Sequence, residues 1–291
     1  MTFKEQPVVE VGRKKETIGY IPNGPITPMV TPLIGEPESF GIDTQQLTIN
    51  LGFQFQNGIR SVFLLGNAGG FLFLSQDQKK QVIQTATETA PAELNLLVGI
   101  SSDTLKNTIE LAKFAEESGA QALVLVPCFG GSQPPQKKIQ AVLDATGNIP
   151  LILYLNPDLH REDQHLSPRD MASLISQHHR LTGAKISFGT MEEFTSYTVL
   201  QSDTFHVLQG NAYLVAESTQ IPGFSLTGFI PIAANDQPKV HVDFHQKRTN
   251  LFRIIQQLPH EYPNIQTTIQ KMLDNGRINQ ETFDIYQANL K

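Results

Sequence analysis

At 291 residues the chain is too long to need disulfides or a metal to stay folded, and long enough for one large domain or two average ones. A hydrophobic fraction of 40% excludes a disordered chain, and the longest apolar runs, such as residues 122–126, are far too short to span a bilayer. A net charge of −6 offers no basic field for nucleic acid, and one cysteine, Cys128, cannot staple a fold, in keeping with a reducing cytoplasm.

Residues 1–23 read as an extended arm that closes on a Pro22-Asn23-Gly24 turn. Lys14 and Lys15 are followed by no apolar stretch, so no signal peptide is expected. From Gly24 onward, short apolar and β-branched runs alternate with stretches of helical spacing. The strand candidates are 26–30, 61–65, 96–100, 122–126, 149–154, 181–185, 206–209 and 225–230, whose starts lie 19 to 35 residues apart.

The helices between them carry start and stop signals. Asp43 caps a stretch whose apolar face is Leu47, Leu51 and Phe55, ended by Gly58. Ser75 and Gln78 have capping-box spacing ahead of Val82, Ile83 and Ala86. Thr104 precedes Ile109, Ala112 and Ala115, with Gly119 as the stop. Ser167-Pro168-Arg169-Asp170 sets a cap, a proline at the first helical position and an acid in the first turn. Thr190 and Glu193 form another capping box before Phe194 and Tyr197.

Strands that are apolar throughout, alternating with helices, predict a buried parallel sheet. Eight strand–helix units fit an α/β fold, a (β/α)8 TIM barrel spanning 24–238. A doubly wound open sheet is disfavoured, because no G-x-G-x-x-G turn follows the first strand. Residues 239–291 predict a C-terminal helical extension with helices at 244–258, 265–273 and 280–290, punctuated by Pro259, Gly276 and Asn279.

In such a barrel chemistry belongs at the C-terminal ends of the strands. Lys185 closes the sixth run. A lysine there either reaches solvent or, partly desolvated in the barrel mouth, supplies a neutral amine that attacks a ketone to form a Schiff base. Tyr154 ends the neighbouring fifth run and is either a buried tyrosine with one hydrogen-bond partner or a proton shuttle for that step. Gly66-Asn67-Ala68-Gly69-Gly70 follows the second run. It is either a tight turn or a set of backbone N–H groups converging on a carboxylate or phosphate, and no Gly-Lys-Ser/Thr makes it a P-loop. Cys128 reads as apolar filler, since no histidine is placed to activate it. The eight histidines form no metal set. His241 and His245 lie beyond the last strand, His178 and His179 stand near a helix end, and His160 and His165 flank a charged loop over the barrel mouth.

The motifs in their chain order resemble the dihydrodipicolinate synthase / N-acetylneuraminate lyase family of class I, Schiff-base-forming aldolases and lyases. The matching segments are Pro25-Ile26-Thr27-Pro28-Met29-Val30-Thr31-Pro32, the 66–70 turn followed by Leu74-Ser75, Val126-Pro127-Cys128-Phe129, Ile152-Leu153-Tyr154-Leu155-Asn156-Pro157, Thr182-Gly183-Ala184-Lys185, Leu208-Gln209-Gly210-Asn211, and Gly228-Phe229-Ile230-Pro231 with Asn235. The resemblance runs from about Gly24 to Lys291. The resemblance implies Lys185 as the Schiff-base residue and Tyr154 as its catalytic partner. Asn67, Ala68, Gly69, Phe129, Gly210 and Ile230 become substrate-binding positions, Ile230 through its backbone. It also implies pyruvate or another 2-keto acid as substrate, no cofactor, no metal, and a homo-oligomer, dimer or tetramer, in the cytoplasm.

The departures are specific. Where the family has two Ser/Thr hydroxyls followed by Gly-Glu, this chain has Asn67 and Ala68 followed by Gly69 and Gly70. Asn67 hydrogen-bonds but does not relay a proton as a hydroxyl does, and Ala68 offers only backbone. The synthase branch's strand-4 tyrosine is Phe129 here, and its substrate-gripping arginine falls on Leu159, two residues before Arg161. These changes argue against authentic dihydrodipicolinate synthase activity. A lyase or aldolase on a 2-keto acid is the expectation, with a non-catalytic binder of a small acid and a 2-keto acid dehydratase as the alternatives.

Overall fold

The computed structural model describes Tyr20 and residues 22–130, 133–159, 166–247 and 251–290. Most of the 1–23 arm and the Arg161-to-His165 loop lie outside the described residues. Eight parallel strands close into a barrel: β1 (Gly24–Pro28), β4 (Ser61–Leu64), β5 (Asn95–Gly99), β6 (Ala122–Leu125), β7 (Leu151–Leu155), β8 (Leu181–Ile186), β9 (His206–Gln209) and β10 (Gly228–Phe229). β10 pairs back with β1. Each coincides with one of the eight apolar runs. The last is shorter than its run, and instead of a turn at residues 22–24, Gly24 opens β1 with φ +74°.

Between β1 and β4 lies an antiparallel hairpin that the strand pattern does not reveal, β2 (Leu33–Glu36) and β3 (Ser39–Ile42). Its strands are four residues long, each holds a glycine, and they stand outside the barrel.

The helices begin where side chains can satisfy their first N–H groups. Asp43 caps α1 (Thr44–Gln56), Ser75 caps α2 (Gln76–Thr89) and Thr104 caps α3 (Leu105–Ser118), which ends on left-handed Gly119. α4 is Pro135–Ala145. Ser167 and Thr190 make reciprocal capping boxes on α5 (Pro168–Gln177) and α6 (Met191–Thr198). A short α7 (Val215–Ser218) precedes β10.

The barrel's two faces are separated by the two-residue period of its strands. Along β7, Ile152 and Tyr154 join the interior cluster with Ile26, Phe63, Leu97, Val124, Leu208 and Ile230. Leu151, Leu153 and Leu155 face the helices.

α1 departs from the expected apolar face. Phe55 is half-buried beneath the Arg60 guanidinium, while Asn50 and Gln54 are buried. Gln54 accepts the Thr27 hydroxyl at 2.7 Å and donates to Ala234 O at 3.0 Å. Asn235 does similar work. Its Nδ2 donates to Pro28 O and Ile232 O, and its Oδ1 accepts Val30 N–H. These amides stitch the seam where the two-residue β10 meets β1.

After the barrel strands come α8 (Pro238–Lys247), α9 (Phe252–Glu261), α10 (Ile265–Asp274) and α11 (Gln280–Asn289). The helix expected over 244–258 is therefore two helices. Pro259 does not end α9 but lies inside it, where its lack of an N–H leaves Ile255 O without the usual i→i−4 bond. No helix among the described residues is long and apolar enough to cross a membrane.

Candidate active site

The site is built from the C-terminal ends of the strands. Lys185 of β8 stands in register with Tyr154 of β7. Its neighbours Ala184 and Ile186 pack outward, and its side chain turns into the barrel mouth. Nζ lies 4.0 Å from the centroid of the Tyr154 ring and 5.5 Å from that of Phe63. Lys185 is 6% exposed and Tyr154 4%, and no carboxylate forms an ion pair with Lys185 among the described residues. Phe63 meets Tyr154 edge-on at 6.1 Å, so an aromatic wall supports the amine from below. The Tyr154 hydroxyl accepts a hydrogen bond from Asn156 Nδ2 at 3.1 Å.

Above this pair opens a cavity of about 360 Å³. Asn67, Ala68, Gly210 and Ile230 line it together with Lys185 and Tyr154. The turn that brings in Asn67 and Ala68 starts from Leu65, whose φ of +55° is unusual for a leucine and reverses the chain at the strand end. Gly69 N–H donates to Gly66 O at 3.0 Å and Gly70 N–H to Asn67 O at 3.1 Å. Gly69 is therefore engaged within the turn and does not line the cavity, whereas the N–H groups of Asn67 and Ala68 lie outside those bonds.

Phe129 is not part of the cavity lining either. Its ring packs on Phe71 at 5.1 Å, and its carbonyl, with that of Gly130, accepts the buried Lys138 ammonium. Burial pushes the Lys138 pKa down. Cys128 is buried beside it, and desolvation pushes its thiol up to about 11, the opposite of an activated nucleophile.

Residues that motif reading did not assign to the site complete the cavity. Asn156, two positions beyond Tyr154, falls on the same side of the chain. Ser187 lies two positions beyond Lys185, and its Oγ is buried without a hydrogen-bond partner. Asn211 contributes from the loop after β9, donating its amide to Phe188 O. Tyr213 stands at the rim with its ring edge on His260 at 5.4 Å. Asn264 and Ile265 reach in from the start of α10, so the C-terminal helices take part in the cavity. Among the described residues that line the cavity, Asp158 is the one carboxylate, and it is exposed. No cluster of three or more metal-ligating side chains occurs among the described residues.

The chain is thus a closed parallel barrel with a buried lysine and tyrosine side by side at its mouth. Residues 22–271 match the model of the dihydrodipicolinate synthetase family, and the chain belongs to that family. Its members are class I aldolases and lyases. The 4-hydroxy-tetrahydrodipicolinate synthase of Citrifermentans bemidjiense is 28% identical over 221 residues, 74% of this chain and 72% of that one. The solved dihydrodipicolinate synthase of Bacteroides thetaiotaomicron superposes with a TM-score of 0.78 at 21% identity, covering 92% of this chain and 98% of that one. YagE, a prophage protein of the same family from E. coli K12, solved in complex with pyruvate, gives 0.76 at 18% identity over 92% and 98%. At these identities the structural matches speak for the fold.

Proposed function

We propose that the chain is a lyase or aldolase that binds pyruvate or another 2-keto acid as a Schiff base on Lys185. The observation that carries this reading is the position of Lys185 Nζ, buried in the barrel mouth over the Tyr154 ring and unpaired with any carboxylate among the described residues. An amine so placed reaches a ketone without first leaving an ion pair.

The keto acid's carboxylate lies against the N–H groups of Asn67 and Ala68. The Lys185 nitrogen lone pair forms a bond to C2, and the carbonyl π pair moves to oxygen. Tyr154 gives that oxygen a proton and takes one back from the nitrogen, leaving a neutral carbinolamine. It then protonates the new hydroxyl, the C2–O bond breaks as water departs, the nitrogen lone pair closes the C2=N⁺ iminium, and Tyr154 is left as the phenolate. In cleavage the C3–C4 bond pair flows into the iminium to give an enamine, while C4 departs as an aldehyde once its hydroxyl proton is removed. Condensation is the reverse.

Phe129 in place of a tyrosine and Leu159 in place of an arginine support a reaction other than the synthase's. Family resemblance supports a homo-oligomer, dimer or tetramer, in the cytoplasm.

The test is borohydride reduction in the presence of pyruvate, then peptide mass spectrometry. The expected result is a reduced adduct on Lys185, lost in Lys185→Ala. No adduct with pyruvate or longer 2-keto acids would shift the reading to a non-catalytic binder. An adduct accompanied by loss of water from the substrate, with no aldehyde released, would make it a dehydratase.

A further inference from the structure

We propose that Tyr286 of α11, 218 residues beyond Ala68, is a positioning residue for the carboxylate-binding turn; the inference rests on the function proposed above. Three peptide planes decide where the N–H groups of this turn point. Gly66 O accepts from Gly69 N–H and Phe71 N–H, and Asn67 O accepts from Gly70 N–H. A trans peptide holds its N–H opposite its C=O. Anchoring these two carbonyls inside the turn therefore sends the N–H groups of Asn67 and Ala68 the other way.

The next carbonyl, Ala68 O, finds its partner outside the turn. It accepts the Tyr286 hydroxyl proton at 3.1 Å, and the same hydroxyl oxygen accepts Thr31 N–H at 3.0 Å. The Thr31 side chain then donates to Gly69 O at 2.8 Å. Two successive carbonyls of the turn are thus held from behind, by α11 and by the segment leaving β1. Tyr286 is fully buried, with its ring edge-on to Phe73 at 5.2 Å. α11 is in turn pinned to β2, where the Thr282 hydroxyl both accepts Leu33 N–H and donates to Leu33 O, each at 2.8 Å.

Ala68 has no side chain with which to fix its own backbone from the cavity side. Without the Tyr286 hydroxyl, the Ala68–Gly69 peptide loses its outer anchor; its Gly69 N–H, which holds Gly66 O, is released, and Asn67 N–H, opposite that carbonyl, loses its aim.

Tyr286→Phe keeps the ring and removes the hydroxyl. The pyruvate concentration for half-maximal trapping at Lys185 is expected to rise about tenfold, with trapping at saturating pyruvate at the wild-type level, because a carboxylate grip serves ground and transition states alike. Amide exchange at Gly69, whose N–H is bonded to Gly66 O, should quicken. Val142→Ala on α4 thins the core without touching α11 or the turn. It should lower the melting temperature and leave half-saturation unchanged. A folded Tyr286→Phe protein with wild-type half-saturation and wild-type exchange would overturn the proposal alone. A wild-type chain that takes no keto acid would overturn the proposed function, and this inference with it.

Discussion

Lys185 places its amine over the face of the Tyr154 ring, while the phenol oxygen is held at the ring's edge by Asn156. Packing and proton transfer are thus separable functions of one side chain. Tyr154→Phe keeps the face that supports the amine and removes the proton donor. Schiff-base formation at Lys185 is expected to survive but to slow by about 10²–10⁴-fold. Single-turnover trapping measures this, and an unchanged rate would assign the proton step to another group.

Ser187 carries a buried hydroxyl with no hydrogen-bond partner at the wall of the cavity. An unpaired buried hydroxyl costs about 1–3 kcal/mol. Ser187→Ala is therefore expected to leave stability unchanged or to raise it by up to about 1 kcal/mol, while kcat/KM falls for a substrate whose polar group pairs with Oγ. Urea unfolding beside steady-state kinetics separates the two effects. A clear loss of stability would contradict this account of the hydroxyl.

Gly210 has no room for a side chain. A Cβ there would stand 2.1 Å from Ser187 Oγ and 2.9 Å from both Lys185 Cε and Ile186 O. Gly210→Ala should displace Lys185 and slow trapping at least about tenfold, with a stability cost of about 1–3 kcal/mol typical of overpacking. Wild-type trapping kinetics would show that the cavity yields elsewhere.

His241 on α8 is buried against Phe229, with Nδ1 2.8 Å from Gln237 O. Desolvation lowers its pKa to about 4 from an ordinary 6.5. Between these values the unfolded chain binds a proton that the folded chain does not, so the contribution is intact above about 6.5 and is lost as pH falls toward 4. Its full size is about 3 kcal/mol. Unfolding free energies at pH 7 and pH 5 should differ less in His241→Phe than in wild type. Equal pH slopes in the two proteins would mean that His241 is not the titrating group.

The eight barrel strands were legible because a doubly buried parallel strand must be apolar along its whole length. Caps at Asp43, Ser75, Thr104, Ser167 and Thr190 were legible because their chemistry is complete within four residues. The hairpin at Leu33–Glu36 and Ser39–Ile42 was not, being half-exposed and too short for its alternation to stand out. In the site, Lys185 and Tyr154 were visible at strand ends. Asn264 and Ile265 were not, since nothing local marks a residue on a late helix as facing a cavity made by early strands. Gly69 illustrates a further gap. A glycine-rich turn announces available N–H groups, but which of them the turn uses itself depends on the backbone conformation.

The seam between β1 and β10 has a consequence for the order of assembly. The bonds from Asn235 to Val30 N–H and Pro28 O join positions 205 and 207 residues apart, and only two residues of strand pairing back them up. On the ribosome, β1 emerges early and keeps an open hydrogen-bonding edge until nearly all the barrel has been made. Contacts of such long range are slow to form, and an uncapped strand edge invites pairing with other chains. The nascent protein is thus most exposed to aggregation just before residues 228–235 appear, when seven strands wait for the shortest one.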